Sequence, residues 1–221
     1  MTENTEKNLQ ELRKNVQEAV EKNEDVQAVV RDITLKALGE GELDKERIKS
    51  VAEAVMQGAG DAVVRESQQM KESLGEAAAG LEQALIQAAD AFRLAIEEAV
   101  GRVNEFSSTE LKRSLNDLDS LEDIFIETLQ RTAKSSGEIV RTIAEDMATH
   151  ARNSGTSVGQ HVAQNIESLQ NRLRELGADT AEAGEQAANR IGQIARGILA
   201  GIGETLLTIA EGKKKQKGNK P

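Results

Sequence analysis

Proline occurs once in this chain of 221 residues, as Pro221 at its last position. The ring that breaks helices, by fixing φ and removing an N–H, is therefore missing from the whole body of the sequence. Tyr and Trp are absent and Phe occurs three times, so the aromatic and β-branched runs favoured by strands are scarce. The expectation is an all-α protein, an elongated bundle of long amphipathic helices with coiled-coil-like spacing and no β-sheet. The lack of cysteine rules out disulfides, thiolate metal ligands and thiol nucleophiles.

Apolar spacing sets out the helices. Leu9, Leu12, Val16, Ala19, Asn23, Val26, Val30, Ile33 and Ala37 alternate by three and four, a heptad with Asn23 at a core position, where a buried amide fixes register and partner number. Gly39 and Gly41 follow as left-handed stops. Asp44 is placed to cap the next helix, and Leu43 to pack on Ile48. From there a stripe with a period near 3.6 runs from Ile48 to Val103. As one helix it would be about 90 Å long, weakened by Gly58, Gly60, Gly75, Gly80 and Gly101 and able to fold back at Gly75 or Gly80. Ser107 and Glu110 form a capping box before the stripe Leu111, Leu115, Leu118, Phe125, Leu129. A break is expected at Asn153–Gly155, with Ser157 and Gln160 as the next box. These signals predict helices near 5–38, 44–104, 108–152, 157–176 and 179–211 in a single domain over 1–212.

Lys and Arg number 28 against 38 Asp and Glu, a net charge of −10. Five of the lysines (Lys213, Lys214, Lys215, Lys217 and Lys220) fall in the last nine residues, read as a disordered basic tail over 213–221. Without them 23 basic side chains face 38 acidic ones, leaving −15. A body this acidic repels nucleic acid. Met1–Gln10 lacks the pattern of a secretory signal. Ile191–Ala210, the most apolar stretch, carries Gln193, Arg196 and Glu204, so no transmembrane span is expected. The expected location is cytoplasmic, peripheral to a membrane or granule.

No motif names a reaction. Met147 and Val158 stand three residues before His150 and His161, where a di-iron Glu-x-x-His motif needs Glu. HExxH is absent. Gly192 and Gly197 have phosphate-loop spacing, but Ile198 replaces the lysine. The chain reads as a non-enzyme without cofactor or metal.

The segment from Ile191, IGQIARGILAGIGETLLTIAEG, is apolar on more than one face, and Gly197 and Gly201 have the spacing that lets helices approach closely. Its Ile191, Ile194, Ile198, Leu199, Ile202, Leu206 and Leu207, with Lys213, Lys214, Lys215 and Lys217, form the candidate surface-binding set. The helices, sparse in Pro and Cys with scattered Gly and Gln and a basic end, resemble those of the phasins, which coat polyhydroxyalkanoate granules. Phe106–Leu129, FSSTELKRSLNDLDSLEDIFIETL, also resembles an uncharacterised proteobacterial helical family. The phasin resemblance implies association with a lipid or polymer-granule surface. The alternative is a soluble coiled-coil scaffold, a homo- or hetero-oligomer joined through Leu9, Leu12, Val16, Asn23, Val26, Val30 and Ile33.

Overall fold

The computed structural model describes residues 3–22, 25–62, 68–101, 108–175 and 191–201. Eight helices are defined: α1 (Glu3–Lys22), α2 (Val26–Gly39), α3 (Lys45–Ala62), α4 (Gln68–Gly101), α5 (Ser108–Asp119), α6 (Leu121–Ser135), α7 (Glu138–Ser154) and α8 (Ser157–Glu175). Residues 191–201 are helical too, and the described residues contain no strand. The fold is all-α.

Helices are shorter and more numerous than the apolar stripes alone predict. The expected 5–38 helix is two helices. Asp25 starts α2, its carboxylate accepting the Ala28 amide at 3.2 Å, an N-cap that satisfies one of the free first-turn donors. The interrupted heptad folds back on itself. Leu9 and Leu12 share a cavity wall with Ile33, Ala37 and Val51, while Arg13 holds Asp61 with both arms of its guanidinium. Hence α1 lies between α2 and α3 of its own chain. Leu12, Val16, Val26 and Val30 are buried there, and Leu9 and Ile33 pack partly buried against the same core. Asn23 lies outside the described residues.

The α2–α3 turn departs from its expected form. Gly39 and Gly41 are not left-handed, since Gly155 is the described glycine with positive φ. The end of α2 is satisfied by a side chain instead: Arg47 Nη2 donates to the Ala37 carbonyl at 2.8 Å, filling an acceptor that the helix end leaves open. Asp44 does cap α3, accepting the Arg47 amide at 2.8 Å.

Over the expected 44–104 helix, α3 ends at Ala62 and α4 begins at Gln68, and α4 runs unbroken through Gly75 and Gly80. α4 turns back so that Gly80 lies against Gln27 and Val30 of α2. Its buried set, including Leu74, Leu81, Leu85, Phe92 and Ile96, is interleaved with alanines. That places the longest helix, 34 residues, at the centre, where small side chains let several neighbours approach. The expected 108–152 helix is three. Ser120, whose hydroxyl donates to the Asp117 carbonyl, separates α5 from α6, and Ser136–Gly137 separates α6 from α7. Ser107 lies outside the described residues. α6 lies parallel to α3, with Lys49 bonded to Glu127 at 2.7 Å and Arg131 ion-paired with Glu53 at 3.0 Å, and α7 hairpins back on it.

α7 ends at Ser154, where Gly155 adopts φ 74°. The cap of α8 is Thr156, one residue before the expected Ser157: its hydroxyl accepts the Gly159 amide at 2.8 Å, and its own amide and hydroxyl bond Glu122. α8 then follows α4, with the Ser157 amide on Glu82 and His161 on Asp90, each pair within 2.8 Å.

Candidate functional site

The helix at 191–201 is the element whose placement bears most on function. Its spacing puts Ile191, Ala195 and Leu199 on one face, and all three are fully buried. Ile194 and Ile198 flank them, partly buried against the core. Gln193, Arg196, Gly197 and Gly201 are exposed. The face is thus already covered, by the end of α2 and the turn into α3.

Two glycines make that approach. Gly192 lies so close to the turn that a Cβ there would come 2.8 Å from the Leu43 carbonyl oxygen. At the other end Ala200 lies over Gly39, where a Cβ would come 3.6 Å from the alanine Cβ. Gly197 and Gly201 do not perform this role, since a Cβ at either would meet nothing within 4 Å. The sequence spacing therefore marked the wrong pair. What selects Gly192 and Gly39 is their register with a turn far away in sequence.

Carboxylates surround the turn. Glu42, whose Cγ lies beside Gly192, titrates above its usual range because burial penalises its charge, with Asp44 adding repulsion and Arg113 opposing it. Asp117 of α5, 9% exposed, is pushed to about 6 by burial, opposed by the charge of Arg113. Arg113 also reaches Asp44 at 4.0 Å. The dock thus pairs an apolar contact with a patch where ionised carboxylates are poorly solvated.

Ile202, Leu206, Leu207, Lys213, Lys214, Lys215 and Lys217 lie outside the described residues. His150 is exposed on α7. His161 Nε2 lies 2.8 Å from Asp90, with the Asn165 amide at 3.4 Å from the same oxygen, a polar clasp between α4 and α8. Among the described residues no helix is long and apolar enough to cross a membrane.

The molecule is therefore an all-α bundle with the helical segment 191–201 packed on the outside of an interhelical turn. The chain belongs to the family of unknown function DUF6781, whose model matches residues 2–208. No curated protein and no solved structure matches it.

Proposed function

We propose that this protein is a non-enzymatic amphipathic helical protein that associates peripherally with an apolar surface, a membrane or a polymer granule, as phasin-like coats do. The observation that supports this reading is the covered face of 191–201. Its two large fully buried side chains, Ile191 and Leu199, contribute about 1.5–3 kcal/mol each. A lipid or polymer surface returns a similar burial, so exchange between dock and surface is thermodynamically close to balanced. The lysines after residue 212 tip that balance on an anionic surface, each adding about 1 kcal/mol.

The scaffold reading asks more of the fold, because Leu12, Val16, Val26 and Val30 are core residues between α1, α2, α3 and α4. Exposing them to a second chain would dismantle the bundle, whereas releasing 191–201 uncovers three fully buried side chains, Ile191, Ala195 and Leu199.

Flotation of the purified chain with anionic liposomes and with polyhydroxyalkanoate particles tests the proposal. Binding is expected, with loss on deleting 191–221, and with high salt removing the lysine share. A chain that stays at the bottom of the gradient with both surfaces overturns it.

A further inference from the structure

The turn that carries 191–201 concentrates negative charge. Glu42 and Asp44 of the turn, Glu46 at the start of α3 and Asp117 of α5 act on one another, with Lys45 and Arg113 as the opposing cations. Arg113 is shared, since it also reaches Asp44 at 4.0 Å. Four carboxylates therefore meet two cations, where surfaces ordinarily intersperse the two signs.

Asp117 independently marks this patch as short of a cation. It is 9% exposed, and Ser120 donates to its carbonyl and not to its carboxylate. Among the described residues no donor bonds that carboxylate, and burial pushes it up to about 6 against the opposing charge of Arg113. A buried polar group without a partner is costly. An ammonium group on a long apolar stem supplies both charge and donors to a carboxylate that is not itself exposed.

The chain carries such groups on a short tether. Lys213, the first lysine of the tail, follows Gly201 by twelve residues, and Ala200 lies on Gly39 at the edge of the turn. Twelve residues span up to about 40 Å, well beyond the separation of Gly39 from Glu42, three residues further on. A tether of this length holds the lysines near the patch at an effective concentration of about millimolar.

We infer that the lysines of 213–217 seat on the patch formed by Glu42, Asp44, Glu46 and Asp117 of the same chain, an electrostatic clasp that favours the docked position of 191–201. An anionic surface offers those lysines the same chemistry and so competes for them. That competition rests on the surface-association reading, whereas the clasp itself does not.

A spin label on Gln216→Cys, in a chain with no native cysteine, tests the clasp by paramagnetic broadening of amide resonances without any lipid. Broadening over residues 42–46 and 113–117 is expected to exceed the mean of the other exposed amides at least threefold. It should vanish in about 0.5 M salt, where the Debye length falls to about 4 Å. Glu42→Gln combined with Asp117→Asn should reduce it at least twofold, with circular dichroism confirming the fold. Broadening spread evenly over the protein, absent from the patch, or indifferent to salt or to the double substitution overturns the proposal. Flotation of the same labelled chain separates the two readings: patch broadening without flotation removes surface association and keeps the clasp, and flotation without patch broadening does the reverse.

Discussion

Replacing Gly80 with Ala sets two opposed effects against each other, and the structure decides which wins. In an isolated helix the change stabilises by about 1 kcal/mol, because Gly gives up more backbone freedom on folding. In this bundle a Cβ at Gly80 would lie 2.4 Å from the Gln27 carbonyl oxygen and 3.1 Å from the Val30 Cβ. The obstructing atom is backbone, which cannot rotate away, so α2 and α4 must separate. Overpacking of this kind costs about 1–3 kcal/mol, and separation also weakens the contacts of Val30 and Leu81, both buried. The expected net effect is destabilisation by about 1–2 kcal/mol. Gly58 is in the same situation, with a Cβ only 2.3 Å from the Arg13 carbonyl oxygen. Gly75 and Gly101 have nothing within 4 Å of a built Cβ, and Ala at either should stabilise by about 0.5–1 kcal/mol. Urea unfolding followed by circular dichroism at 222 nm separates the two classes. If Gly80→Ala proves as stabilising as Gly75→Ala, the close crossing of α2 and α4 is wrong.

Three further outcomes are expected. Asp117 titrates at about 6 instead of 3.8 because its charged form is poorly solvated. Its cost is therefore absent below about pH 4, grows as pH rises towards 6 and persists above. Asp117→Asn should stabilise at pH 8 by up to about 3 kcal/mol and change little at pH 4; equal effects at both pH values would discount the burial of its charge. Thr156→Ala removes the cap of α8 and a hydroxyl bond to Glu122 and should cost about 1–2 kcal/mol, measured by thermal unfolding; an unchanged midpoint would return the cap to Ser157. Leu199→Ala should accelerate amide exchange within 191–201 while leaving α3 and α4 protected, since the dock opens locally; uniform acceleration would mean that the helix is part of the cooperative core.

The helical class was legible because it rests on what the chain lacks, proline above all, and on apolar periodicity that persists almost throughout. Breaks near Asp44 and Asn153–Gly155 were legible as well, each marked by capping or glycine chemistry. Those at Asp25, Ser120 and Ser136–Gly137 were not, because the apolar spacing runs through them in phase. A heptad from Leu9 to Ala37 looks the same whether it continues straight or doubles back, and what distinguishes them is one carboxylate bond from Asp25 to Ala28. The role of each glycine was also hidden. Gly58 and Gly80 read as weak points and are close crossings, because the carbonyls they face belong to Arg13 and Gln27, far away in sequence. For the dock, the sequence pointed to Ile191 and Leu199 as apolar side chains, yet gave no sign that Ala195 completes the buried face or that Gly39 and Leu43 lie against this helix.

The central claim is that 191–201 must leave its dock to engage a surface, and the absence of native cysteine makes it directly testable. A Cβ built at Gly39 lies 3.6 Å from the Ala200 Cβ, within the span a disulfide bridges. Gly39→Cys combined with Ala200→Cys should lock the helix down when oxidised and free it when reduced. Flotation with anionic liposomes should then fall at least tenfold in the oxidised protein and recover with dithiothreitol. Equal flotation of the oxidised and reduced forms would contradict the account.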